Sequence, residues 1–273
     1  MTAHRITPTT ITAVMVALPA ALIARTIVQK NLINSGYNPA FAADLAYLVV
    51  PPILLVLLFP LWRSEKSYIR EQFSFANLSW RLAIRAVGIG VLMRVAWWSQ
   101  LFAGISFGIY RAPATSTITP LVLNFQCPST VVIALGLVVM AGLIPFVEET
   151  IHRGYVQGVL RHRGAVLSVL VSAIVFTVFH RYTSWPFVFV AGLIFGTQYW
   201  VAKSLWPSLI SHATINALIQ LDWRCLNGRW NPPADSVPLL IPGTVAMLCL
   251  VVSVAILTML IRRMATEARN APR

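Results

Sequence analysis

Glu148 and Glu149 stand side by side at the end of the apolar run Gly142-Leu143-Ile144-Pro145-Phe146-Val147, in a chain with eight acidic residues in all. A carboxylate at bilayer depth costs at least ~2.5 to 3.5 kcal/mol even on the lenient insertion scale, so such acids mark functional sites whose partners must be found. On a helix, Glu149 and Arg153 are i, i+4 neighbours and can pair. Glu148 faces about 100° away, next to His152 at its own i+4 position. One acid is therefore expected to be held by an internal cation while the other faces a cavity.

Two further apolar runs end or begin on polar groups. Phe176-Thr177-Val178-Phe179-His180 closes one of them, and His212 and Asn216 share a helix face in another, just after Pro207, which suits a first helical turn. The basic turn Arg161-His162-Arg163-Gly164 folds the Glu148 and His180 helices back on each other. At helical rise the two side chains then lie about 21 and 26 Å from that turn, at nearly the same depth.

This set can activate water. A carboxylate poised by burial and a neighbouring histidine can act as general base. A histidine and an amide can donate to a tetrahedral oxyanion, where one lost donor costs about 10²- to 10³-fold in rate. The zinc alternative would take His180, His212 and Glu149 as ligands with water in the fourth position. It lacks an H-E-x-x-H pair, so three spans would have to supply the geometry. The metal-free site, with no cofactor, is favoured. Ser208 and Ser211 lie close to His212 in sequence, but adjacent helical positions do not face each other.

The elements that must position these groups are membrane helices. The 273 residues are 58% hydrophobic and 11% charged, with mean hydropathy +0.74, where a soluble domain carries roughly a quarter charged residues. The fold class expected is an all-α membrane protein, a polytopic bundle of about eight transmembrane helices forming a single integral membrane domain over 1–273, with the motif-bearing core at about 131–221. The spans run near Thr10–Val28, Ala40–Trp62, Leu82–Phe107, Val131–Tyr155, Ala165–His180, Pro186–Ala202, Pro207–Leu221 and Val237–Ile261. Arg25 within the first, and the absence of an A-x-A-like site after it, argue against a cleaved signal peptide.

A net charge of +13 invites a nucleic-acid reading, but the distribution of the cations does not support one. With the N-terminus inside, fourteen of the 21 Lys and Arg fall on the cytoplasmic side and six outside, which puts both termini in the cytoplasm. The excess reads as topology and contact with anionic lipid, and no nucleic acid is expected as a partner. Cys249 reads as a packing residue. Cys127 and Cys225 both fall in outside loops, where an oxidising compartment would permit a disulfide.

Pro51-Pro52 is expected to kink the second span, and Asp44 reads as a helix-start residue near its outer end. The stretch Arg63–Arg81 mixes cations with aromatics, as a lipid-surface connector does; substrate docking is its other reading. Trp97 and Trp98 suit an aromatic belt. Arg94, mid-span, requires a partner.

The motifs Glu148-Glu149-x-x-x-Arg153, Phe176-x-x-x-His180 and His212-x-x-x-Asn216, in that order on successive helices, resemble those of the CPBP intramembrane proteases, which include the type II CAAX prenyl endopeptidases and relatives linked to bacteriocin handling. The resemblance covers Phe146 to Ala217. It implies a peptidase inside the membrane, open towards the cytoplasm, acting on a peptide or prenylated protein substrate, in a multi-pass protein of the bacterial inner membrane. Glu148 would be the general base, with His180 helping to hold the attacking water. His212 and Asn216 would stabilise the oxyanion, and Glu149 and Arg153 would support or bind substrate. Members are described as glutamate-dependent, although many are classed as metalloproteases. Two rivals remain: a proton-coupled transporter, which would string acids and bases at several depths, and a non-enzymatic scaffold or immunity protein on the same bundle. Because His212 lies near the cytoplasmic start of its span and Glu148 lies deep, a shared site requires the Arg161–Gly164 turn to project well into the cytoplasm.

Overall fold

The computed structural model describes residues 8–64, 66–75, 78–109, 129–180, 182–221 and 243–270, and among these all regular structure is helical. In chain order the helices are α1 (Pro8–Asn34), α2 (Pro39–Tyr47), α3 (Val50–Leu57), α4 (Phe59–Ser64), α5 (Lys66–Gln72) and α6 (Trp80–Ser106). They are followed by the continuous stretch α7 (Thr130–Arg163), then α8 (Ala165–Val178), α9 (Trp185–Ala202), α10 (Trp206–Gln220) and α11 (Gly243–Asn270). Among the described residues five candidate spans are long and apolar enough to cross a bilayer, and the apolar stretches Phe41–Leu57 and Ala165–Val178 are shorter. Exposed apolar side chains such as Val166, 81% accessible, suit a lipid-facing surface. The protein is a helical membrane bundle. Cys127 and Cys225 lie outside the described residues.

The second span departs from the single kinked helix expected of it. It breaks at Leu48–Val49, directly before α3, whose first turn holds Pro51 and Pro52. Proline suits a first turn but disfavours helical geometry in the residue before it, so the pair starts a new helix. Asp44 is not a helix-start residue either. It lies inside α2 and is buried, while Asn38 Oδ1 takes the start position by accepting the Phe41 N–H.

Two clusters organise the packing. Val14, Leu18 and Ala21 of α1 pack with Leu54 of α3 and with Ile151 and Tyr155 of α7. Ile89 and Met93 of α6 pack with Phe195 of α9, Ile215 of α10 and Leu257 of α11. Lipid tails are as apolar as leucine, so such helices are held by close contact at small residues rather than by expulsion from water. A Cβ on Gly192 of α9 would stand 3.0 Å from the Ala173 Cα of α8, and one on Gly90 of α6 would stand 2.6 Å from the Ser211 carbonyl of α10. Both helix pairs thus approach at backbone distance.

The turns follow from local chemistry. Gly164 (φ 95°) sits where α7 folds back into α8, a conformation free of cost only for glycine. Lys203 adopts φ 53°, and its N–H returns to the Tyr199 carbonyl at 2.9 Å, so α9 reverses abruptly into α10. Arg94 has its Cζ 4.7 Å from the Trp98 ring centroid, a cation–π contact on its own helix. Trp97 packs edge-on against Phe187 at 4.4 Å, a helix-to-helix contact in addition to any place in a belt.

Candidate active site

The backbone of α7 is irregular at the motif. Leu137–Leu143 and Thr150–Gln157 are π-helical, and Glu148 and Glu149 end the α-helical turn between them. Such wide turns are rare and frequently occur at functional sites. The second one buries all of its residues, among them His152, Arg153 and Gln157.

Glu149 is fully buried, and its Oε1 accepts from Arg153 Nη1 at 3.0 Å and from His212 Nδ1 at 2.9 Å. A buried acid of this kind is tolerated only when paired and hydrogen-bonded. Arg153 Nη2 donates onward to the Gly192 carbonyl at 3.2 Å. Its Cζ lies 4.4 Å from the centroid of Phe176 and 5.4 Å from that of Phe195. His212 stacks on Phe195 at 4.9 Å and meets Phe176 edge-on at 5.8 Å. Two aromatic rings therefore wall in the Arg153–Glu149–His212 chain, which fixes the imidazole plane.

Glu148 differs from its neighbour. Its side chain is 21% accessible, and its Oε2 is 3.6 Å from His212 Nε2, too far for a direct hydrogen bond. With Nδ1 donating to Glu149, His212 directs its other nitrogen at Glu148. The expected contact between the Glu148 and His152 side chains is absent: His152 Nδ1 donates instead to the Glu148 backbone carbonyl at 2.7 Å. The wide turn beginning at Thr150 explains the shift, since the 3.6-residue repeat no longer holds there.

His180 ends up one ring away from the acids. Its Nδ1 donates to the Phe176 carbonyl at 2.8 Å and its ring lies 4.7 Å from Phe176. Among the described residues it makes no hydrogen bond or ion pair with Glu148. Asn216 donates from Nδ2 to the Met140 carbonyl in the first π-helical segment at 2.8 Å, so one of its amide protons ties α10 to α7. His212 and Glu148 share one site. Leu205, just before α10, packs within 3.7 Å of the position a Gly154 Cβ would take, and α7 continues past Gly154 to Arg163. The Arg161–Gly164 turn therefore projects beyond the level where α10 begins.

No three His, Cys, Asp or Glu side chains converge as metal ligands among the described residues. Glu149 Oε1 accepts from Arg153 and His212, while His212 and His180 each hold an acceptor through Nδ1 and keep Nε2 as the atom that could meet a ligand. His180, His212 and Glu149 are not gathered as one ligand set in this arrangement.

Several supporting residues escaped the sequence reading. Gln157 Nε2 donates to the Gly196 carbonyl at 2.8 Å, one turn beyond the Arg153–Gly192 contact. The i, i+4 pairs Arg153/Gln157 and Gly192/Gly196 are a signal in the sequence, a two-point match between facing helices. Ser211 Oγ, which accepts from Gln198 Nε2 at 2.7 Å and donates to the Ala86 carbonyl at 2.7 Å, pins α10 to α6. Tyr68 of α5 donates to the Gly154 carbonyl at 2.8 Å and meets the Tyr199 hydroxyl at 3.2 Å. Burial, followed by Tyr199, pushes its phenol well above the ordinary tyrosine range, so the donor keeps its proton.

A helical membrane bundle with a buried, paired carboxylate beside a partly open one and a shared histidine has the makings of an intramembrane hydrolase. Residues 128–218 match the family model described as Type II CAAX prenyl endopeptidase Rce1-like. The match covers a third of the chain, the third that holds Glu148, His180, His212 and Asn216. No curated protein and no solved structure matches it.

Proposed function

We propose that this protein is a metal-free intramembrane endopeptidase that hydrolyses peptide bonds near the C-terminus of membrane-associated or prenylated substrates. The observation that carries this reading is the contact of one histidine with two unequal carboxylates: Glu149 fixes Nδ1 at 2.9 Å, while Glu148 lies 3.6 Å from Nε2. Glu148 takes a proton from water, and the hydroxide attacks the scissile carbonyl. His212, held at Nδ1 by the Glu149 carboxylate, donates from Nε2 to the oxyanion. Collapse breaks the C–N bond, and Glu148 passes its proton to the leaving amine. His180 keeps Nε2 as an acceptor for the second proton of the water. Asn216 holds α10 at the register that places His212, and Arg153 is the counter-charge of Glu149. The placement is the inner membrane of a bacterium, with both termini in the cytoplasm.

The test is incubation of purified, detergent-folded protein with a prenylated CAAX peptide and an unbiased peptide library, with and without chelator, and products read by mass spectrometry. Cleavage unaffected by chelator is expected. Loss on chelation restored by zinc contradicts the metal-free site, and the absence of any product contradicts the peptidase.

One observation favours the transporter. Gln220 Oε1 and Asp44 Oδ2 lie within 2.6 and 3.2 Å of the position a Gly136 Cβ would occupy. Gln220 is two helical turns from His212, about 12 Å along α10, so polar groups do occur at a second depth. Proton flux into liposomes that Asp44→Asn abolishes would support that reading.

A further inference from the structure

The connector between the second and third spans does more than lie on the lipid surface. It grips both helices that carry the site. On α7, Tyr68 reaches the Gly154 carbonyl at 2.8 Å and Phe73 stacks on Phe146 at 5.0 Å, so its two contacts bracket Glu148, Glu149 and Arg153. At the start of α10, the Leu205 N–H donates to the Gln72 carbonyl at 3.0 Å and Trp206 Nε1 to the Phe73 carbonyl at 3.0 Å. Phe75 stacks on Trp206 at 4.5 Å. Through these contacts the connector sets how α7 and α10 meet, and therefore how Glu149 meets His212.

The connector also carries charge, next to the same Phe73 and Phe75. A cavity of about 800 Å³ opens there, where Arg63, Lys66 and Arg70 supply cations, Ser64 and Ser67 hydroxyls, and Glu71 one acid. The three cations are exposed. Phe75, which lines the same cavity, is 68% accessible, the pairing of an aromatic ring with cations that settles at a membrane surface. Because the connector is tethered between bilayer helices, the anion that meets this cavity most often is a headgroup of the same leaflet.

We infer that the 63–75 connector is a docking site for anionic phospholipid headgroups and that an occupied dock tightens its grip on α7 and α10, aligning Glu149 with His212. This builds on the proposed peptidase by giving it a lipid regulator, but the dock itself does not depend on turnover. Each cation near the surface strengthens headgroup binding roughly fivefold, so removal of all three is expected to cost about two orders of magnitude in affinity.

The test is hydrogen–deuterium exchange of the full chain in nanodiscs of phosphatidylcholine alone or mixed with phosphatidylglycerol, followed in peptides covering 66–75, 146–154 and 203–212. Phosphatidylglycerol is expected to slow exchange in all three. In Arg63→Gln/Lys66→Gln/Arg70→Gln the ratio between the two disc types falls to near one. In Tyr68→Phe the slowing persists in 66–75 and is lost in 146–154, which separates a transmitted effect from simple surface binding. Slowing confined to 66–75 in the wild type, or none, overturns the inference. Equal slowing by inorganic phosphate in neutral discs assigns the cavity to a free anion and overturns it too. Since exchange is read without substrate, slowing in all three segments alongside no peptide cleavage would count against the peptidase alone.

Discussion

The two faces of α7 on either side of the motif differ sharply although their acids are consecutive. On the closed face, Glu149 is fully buried and bound by Arg153 and His212 between Phe176 and Phe195. On the open face, Glu148 keeps a fifth of its side chain accessible, with His212 Nε2 at 3.6 Å. A carboxylate locked into an ion pair cannot readily exchange protons, because protonation would leave a buried guanidinium uncompensated. The open one can. In the proposed peptidase the difference divides the work of the site: one acid is a fixed charge that orients a histidine, and its neighbour is the base.

Breaking the closed face should have the largest effect. Arg153→Met strands the Glu149 carboxylate in the bundle and is expected to cost about 3–5 kcal/mol, read as a loss of folded protein or a large fall in the thermal midpoint in detergent. Next, His212→Phe keeps the stacking on Phe195 but removes both nitrogens, one facing each acid. It should lower kcat by about 10²- to 10³-fold, measured on whichever peptide the wild type cleaves. A smaller effect belongs to the seam behind Arg153. A Cβ on Gly196 would meet Gln157 Oε1 and Val169 Cγ1 at 3.1 Å, so Gly196→Ala should destabilise by about 1–3 kcal/mol through overpacking. The smallest is Asn216→Leu, which loses one hydrogen bond to Met140 and is expected to cost roughly 1 kcal/mol in the same unfolding assay. A catalytic deficit far beyond that loss would support the oxyanion role that the resemblance implies for Asn216.

Much of this arrangement was legible in the chain. The Glu149–Arg153 pair follows from i, i+4 spacing, and the convergence of Glu148 and His212 from polar residues placed where apolar ones cost less. The rest depended on geometry that residue types do not announce. A regular helix sets the Glu148 side chain beside His152, but the wide turn from Thr150 sends that imidazole to a backbone carbonyl. Asp44 near an apparent span end reads as a start signal, yet the Pro51-Pro52 pair splits the span and Asp44 is buried next to Gly136. The contacts of Tyr68 and Phe73 join residues more than seventy positions apart in sequence, and no local pattern encodes them.

The division between base and fixed charge is tested most directly by Glu148→Gln and Glu149→Gln compared in one preparation, with peptide turnover and thermal midpoint measured on each. Glu148→Gln is expected to lose about 10²- to 10⁴-fold in kcat at an unchanged midpoint, while Glu149→Gln loses stability first. Retained turnover in Glu148→Gln, or an unchanged midpoint with abolished turnover in Glu149→Gln alone, would contradict it.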